Sequence, residues 1–382
     1  MLSALRWISG AAALVLVFGM VSCASPPSNE VLIGILTETD RADSELALRG
    51  AQLAIDQANS AGGVHISGRQ HYFELIHGDS GESPQTAMAA ALELINQEGI
   101  HALIGSSRSP NAIPQAQAAN AARIPFISPA STHPQTTAHK PYVFRATFTD
   151  DVQGRALARL AYEDLEARTA AVVYDVSNNF SRNLADVFRQ TFEEAGGAVV
   201  AAEPFTSLSA DPDARWKRVR EQQPDVLFLP IYTDEALVQA ARARQLGITA
   251  TFLGADSWTP SRLVEEPAFE GALIAGAWHP DSAAEHPGAR EFNDLFRRAY
   301  GKGPSDTIMV LGYDAAKLMT AAIRQARSLD PDAVRRALAG IENFPAATGS
   351  VTFRGTHGDP KKPVCMVRIH QGRVELYKNL SL

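Results

Sequence analysis

Cys23 and Cys365 are the only cysteines in 382 residues, so no disulfide framework can staple this chain. Basic charge is also short: 35 Lys and Arg stand against 42 Asp and Glu, a formal net charge of −7. No Lys/Arg cluster reaches the density that a phosphate backbone or an anionic lipid surface demands, and nucleic acid is excluded as a partner. The sequence has no G-x-S-x-G elbow, G-x-x-x-x-G-K-[ST] loop or G-x-G-x-x-G fingerprint, so the strongest enzyme and nucleotide signals are missing. Its ten His are scattered, and the nearest pair, His133 and His139, lacks zinc-site spacing and companions. Neither a metal nor a cofactor is expected. A hydroxyl nucleophile at Ser107 or Ser109 would need a positioned base, and no His and Asp stand where they could supply one. An enzyme is therefore not expected. What remains is 45% hydrophobic and 20% charged residues, a folded composition long enough for two domains.

The one extended apolar run is N-terminal. Residues 1–22 carry a single charge, Arg6, and an apolar stretch to Met20 broken only by Ser9, Gly10 and Gly19, which suits a secretory signal better than a membrane span. The run ends Met20-Val21-Ser22-Cys23, which resembles the lipobox of bacterial lipoproteins with Met where Leu is usual. That resemblance implies a signal peptide at 1–22, acylation of Cys23, and a lipidated tether at 23–30. Cys365, in Val364-Cys365-Met366-Val367, reads as a buried small hydrophobe.

From residue 30 strand and helix patterns alternate. Strands are expected at 31–36, 72–76, 101–104 and 124–127, with helices between them, the first ending at Gly62-Gly63. The grammar then restarts, with strands at 171–174, 198–202, 225–229 and 251–253 and helices at 181–195, 214–222 and 234–246. Helices near 290–300, 307–327 and 331–339 and short strands at 350–353, 364–370 and 374–377 close the chain. The fold class is α/β: two doubly wound, mainly parallel-sheet lobes.

Ligands of open α/β sheets bind beyond the carboxyl ends of the strands. In the first lobe those ends read Gly105-Ser106-Ser107-Arg108-Ser109 and Ser128-Pro129-Ala130-Ser131-Thr132; in the second, Pro230-Ile231-Tyr232 and Gly254-Ala255-Asp256. Hydroxyls and backbone N–H groups face an aromatic ring and a carboxylate, a suitable pair of jaws for a small zwitterion.

At these residues the chain resembles the periplasmic leucine/isoleucine/valine-binding proteins, type I substrate-binding proteins of ABC importers. The likeness runs through Gly50-Ala51, Asn59, Gly62-Gly63, Asp79, Ile104-Gly105 and Ile124-Pro125-Phe126-Ile127-Ser128-Pro129-Ala130. It continues through Arg145, Asp151, Gln153, Gly154, Tyr174-Asp175, Gly247 and Gly254. It implies a three-segment hinge, with lobe 1 at 31–148 plus 278–348 and lobe 2 at 149–277 plus 349–382. It also implies an exported, membrane-anchored monomer that passes an amino acid or analogue to an ABC permease.

Carried over position by position, Ser109, Ala130 and Thr132 would hold the ligand carboxylate and ammonium, with Ser107 and Ser131 in the same loops. Tyr232 would supply a hydrogen bond or an apolar face, and Asp256 would replace the family's glutamate as ammonium partner. Phe180 lies near a position where the family often has Tyr. Gly81 and Arg108 occupy the two positions of a family disulfide near the cleft, which leaves Arg108 either paired with an acidic ligand side chain or turned to solvent. Asp256 is one methylene shorter than glutamate, so branched-chain specificity does not follow. Two alternatives stay open: a receptor for an amide, urea or aromatic acid, and a ligand-free lipoprotein that regulates a cell-envelope enzyme.

Overall fold

The computed structural model describes residues 29–38, 41–97, 99–206, 212–283, 286–304 and 306–380. The expected signal peptide, the Cys23 anchor and nearly all of the tether lie outside the described residues.

Among the described residues the strands form two large sheets and a hairpin. The first sheet contains β1 (Glu30–Thr37), β2 (Val64–Ile66), β3 (Arg69–Asp79), β4 (Ile100–Ile104), β5 (Phe126–Ser128) and β6 (Val143–Arg145). Their order is β2-β3-β1-β4-β5-β6, parallel except for the β2–β3 hairpin. The second sheet contains β7 (Thr169–Asp175), β8 (Ala198–Phe205), β9 (Val226–Leu229), β10 (Thr251–Gly254) and β11 (Leu273–Gly276). After a hairpin of β12 (Phe344–Ala346) and β13 (Gly349–Val351), the strands β14 (Val364–His370) and β15 (Arg373–Leu380) complete it. Its order is β15-β14-β11-β10-β9-β7-β8, with β14 and β15 antiparallel at one edge.

Continuous apolar runs become strands because helices cover both faces: β9 and β11 are buried at every position. The sequence pattern does not reveal β2, β6 and β11, whose three or four residues are too few to establish a period. Cys365 is buried in β14.

Strand order fixes where a ligand can sit. In the first sheet it reverses between β1 and β4, and in the second between β7 and β9. The crevice at each reversal is open because the flanking connections leave in opposite directions. Glu38 and Gly105–Ser109 follow β1 and β4, while Asn178–Phe180 and Tyr232 follow β7 and β9.

Helix Ala42–Ser60 packs along helix Thr307–Ala326. A Cβ at Gly50 would overlap the Met309 carbonyl oxygen, and one at Gly312 the Ala47 carbonyl oxygen. Only glycine at both places lets the two backbones approach this closely.

Beyond Gly349, near which the last crossing between lobes is expected, residues 353–359 still lie against the first sheet. Beyond β13, the Phe353 ring packs tilted against that of Phe144 in β6, centroids 5.1 Å apart. The Gly358 carbonyl accepts from the Arg145 N–H at 3.0 Å, and Asp359 accepts from Arg145 Nε at 2.6 Å and from the Thr137 hydroxyl at 2.7 Å. A half-buried ion pair and two hydrogen bonds thus hold this strap against the first sheet, ahead of β14 in the second.

Candidate functional site

Beyond β4, Gly105 leaves no Cβ to strike the Phe126 ring, and the chain turns into helix Ser109–Ala121. Ser106 is structural: its N–H donates to Gln115 Oε1 and its hydroxyl accepts from Gln115 Nε2, each at 2.8 Å. The loop after β5 is knitted from behind. Ser131 donates its N–H to the Ser128 hydroxyl at 3.1 Å, its hydroxyl to Ser109 Oγ at 3.0 Å, and pairs with Thr136 at 2.6 Å. These bonds take up the Ser131 hydroxyl behind Ser109, and Ser131 does not line the cavity described below.

On the opposite jaw Tyr232 begins helix Thr233–Gln245 and lies stacked on Phe180, ring centroids 5.4 Å apart. The Arg108 guanidinium, from the first lobe, rests 3.5 Å from the Tyr232 centroid. Arg108 therefore reaches across the cleft onto an aromatic face, a cation–π contact, rather than turning to solvent.

Ser107, Arg108, Ser109, Ala130, Thr132, Phe180, Tyr232 and Asp256 line one cavity, together with Ser257, Thr259 and Ile308. Its volume is about 30 Å³, room for a water or two. An amino acid enters only when the lobes part or Arg108 swings aside. Ser257 and Thr259 continue the strand-end segment that gives Asp256, so a longer reading of that loop would have found them. Ile308 comes from helix Thr307–Ala326, far along the chain, and has no local signal.

Two carboxylates dominate the electrostatics. Gln153 Nε2 donates to Asp256 Oδ1 at 2.9 Å and to Asp150 Oδ1 at 3.1 Å, and Asn183 Nδ2 donates to Asp150 Oδ2 at 3.1 Å. Burial pushes Asp150 up to about 6. Burial first, and then the neighbouring Asp150 charge, push Asp256 up to about 7. A cation placed beside Asp256 would relieve both causes at once. Burial also raises the Tyr232 phenol, so it stays a neutral hydroxyl at physiological pH.

Residues 33–373 match the family described as periplasmic binding protein. The chain belongs to that family. A Leu/Ile/Val-binding protein of Rhizobium johnstonii is 27% identical to it over 332 residues, 86% of this chain and 87% of the relative. A leucine-, isoleucine-, valine-, threonine- and alanine-binding protein of Pseudomonas aeruginosa is 26% identical, covering 88% of each chain. Among solved structures, a leucine binding protein of Thermotoga maritima superposes with a TM-score of 0.84 at 28% identity, covering 92% of this chain and 99% of that one. The two α/β lobes described above are the periplasmic binding protein type I fold.

In this periplasmic binding protein, three of the contacts among the described residues bridge the cleft. Arg41 donates to Asp234 at 2.5 Å, Arg108 covers Tyr232, and the Ser261 hydroxyl donates to Asp306 at 2.8 Å. Each contact joins residues that follow strands or helices of different sheets, so opening the cleft breaks all three. Exposed ion pairs such as Arg41–Asp234 are individually weak, about 0–1 kcal/mol, and suit a hinge that must open readily.

Proposed function

We propose that the protein is an exported, lipid-anchored receptor that captures an amino acid or close analogue between its lobes and delivers it to an ABC permease. The observation that carries this reading is the shared cavity: hydroxyls and N–H groups of one jaw face the Asp256 carboxylate of the other. Ser109, Ala130 and Thr132 hold the ligand carboxylate, and Asp256 holds its ammonium by a charge-assisted bond. Contacts to both jaws let the ligand favour the closed state, since a ligand shifts an equilibrium only by its differential affinity. The names of the Rhizobium and Pseudomonas relatives support an amino-acid ligand. We place lobe 1 at 31–148 plus 278–360 and lobe 2 at 149–277 plus 361–382. Acylation at Cys23 anchors the receptor, and Cys23→Ser is expected to abolish fatty-acid labelling and to move the protein from the membrane to the soluble fraction.

Thermal unfolding of the purified protein, stripped of ligand by unfolding and refolding, tests the capture. A cognate ligand at 100 times its dissociation constant stabilises by about 2.7 kcal/mol. Because Asp256 is pushed up to about 7, an ammonium ligand is expected to bind about tenfold more weakly at pH 6 than at pH 8. An uncharged amide ligand would lack that dependence and favour the amide-receptor alternative. No shift with any amino acid, amide or small carboxylate would rule out the receptor reading.

A further inference from the structure

Asp150 and Gln153 begin helix Asp150–Arg159, three residues apart and therefore on one face, and both are completely buried. Neither is among the residues that line the ligand cavity, yet each is bonded to one that is. The Asp150 N–H donates to the Thr132 carbonyl at 2.9 Å. Gln153 grips Asp256 twice: its Nε2 donates to Oδ1 at 2.9 Å, and its Oε1 accepts the Asp256 N–H at 3.2 Å.

The other Nε2 proton goes to Asp150 Oδ1 at 3.1 Å, so both donors of this amide serve carboxylates. An acid held at its own N–H and at its carboxylate by one rigid amide has little rotamer freedom left to lose when a ligand arrives. The surrounding charges are few. Arg145 faces Asp150, with His133 beside it pushed down to about 4 by burial. Tyr232, under Arg108, faces Asp256, while Glu38 acts on Tyr232 and Glu235 on Arg108.

Resting on the receptor reading above, we propose that Gln153 and Asp150 are positioning residues of the ammonium site: Gln153 aims the Asp256 carboxylate, and Asp150 ties that aim to the Thr132 loop through one turn of helix. The spacing between the loop that holds the ligand carboxylate and the acid that holds its ammonium is then set by the protein before the ligand binds. Gln153 also donates to the charged form of Asp256 and so favours it, whereas the Asp150 charge disfavours it. Removing one or the other displaces the ionisation of Asp256, and ammonium binding with it, in opposite directions along the pH axis.

Titration calorimetry between pH 5 and pH 8 tests this, with whichever member of the panel above stabilises the wild-type protein most, beginning with alanine, leucine and glutamine. Gln153→Met fills similar space without the amide. It is expected to bind about 10- to 100-fold more weakly at pH 8, the worth of a hydrogen bond to a charged group, with its binding midpoint above that of wild type. Asp150→Asn keeps the shape, since Asn183 can turn its amide over to accept, and its midpoint is expected below that of wild type. The flanking Arg, Glu, Tyr and His groups are common to all three proteins and cannot produce opposite displacements. Midpoints that coincide or move the same way would overturn the positioning roles and leave the receptor reading standing, as would a wild-type ligand that has no ammonium group. Should Gln153→Met fail to fold, Asp150→Asn decides alone, because a midpoint at or above that of wild type overturns the assignment. Silence of the wild-type protein towards the whole panel would overturn both.

Discussion

Asp256→Asn is expected to lose ligand capture and, at the same time, to make the ligand-free protein more stable above pH 7. The two effects share one cause. Asp256 is raised to about 7 by burial and by Asp150, so the folded state holds a proton there that the unfolded chain gives up near pH 4. A carboxyl whose pKa is raised on folding adds stability that is complete below the unfolded value. That stability is lost as pH rises through the folded one. At pH 8 the wild-type protein therefore carries two repelling carboxylates beside Gln153, and the asparagine variant only one. The variant is expected to gain on the order of 1 kcal/mol at pH 8 and nothing at pH 4, where the wild-type carboxyl is protonated. The ligand's ammonium loses its partner, at about 2–5 kcal/mol, or roughly 30- to several-thousand-fold in affinity. Denaturant unfolding at the two pH values, with and without ligand, separates the terms. A variant that is less stable at pH 8 yet binds normally would show that Asp256 is a structural acceptor and not the ammonium partner.

The same residue shows how much could be read from the chain alone. Asp256 lies beyond an apolar run, and the run predicts a covered strand whose carboxyl end faces the crevice. Tyr232, Ser109 and Ala130 are legible for the same reason: each follows a strand that announces itself by composition. The direction of Arg108 is not legible, because a long side chain can reach either solvent or an aromatic face across the cleft. Nor is that of Ser131, because alternation of facing stops at a strand's end, and hydrogen bonds to Ser109, Ser128 and Thr136 decide it instead. The bond from Asn111 Nδ2 to Glu38 Oε1 carries no signal, since a lone acid after β1 and a lone amide in a helix are ordinary surface residues until the fold brings them together. The hold of the first sheet on the strap at 353–359 is not legible either, because its contacts are more than 200 residues distant in sequence.

Arg145→Met is expected to cost about 3–5 kcal/mol of stability, the penalty for removing one partner of a buried, multiply bonded ion. The Arg145 side chain is fully buried. It donates to Ser131 O at 2.7 Å, His133 O at 3.0 Å, Thr137 Oγ1 at 2.8 Å and Asp359 Oδ1 at 2.6 Å. One planar fork thus ties the loop that carries Thr132 to the strap at 353–359. Methionine fills similar volume but leaves the Ser131 carbonyl without a donor, the His133 carbonyl with the Thr136 N–H alone and Asp359 without its ion-pair partner, so packing is spared while the polar network is lost. Arg145→Lys keeps the charge, but three donors on one nitrogen cannot reach four separated acceptors, and it is expected to recover only part of the loss. Because Thr132 O accepts the Asp150 N–H at 2.9 Å, loosening this loop also frees one wall of the ligand cavity. Affinity should fall together with stability in both variants. Guanidinium unfolding gives the first quantity and calorimetry the second. A methionine variant within 1 kcal/mol of wild type would mean that water replaces the guanidinium, and the loop would then owe its shape to the serine and threonine bonds alone.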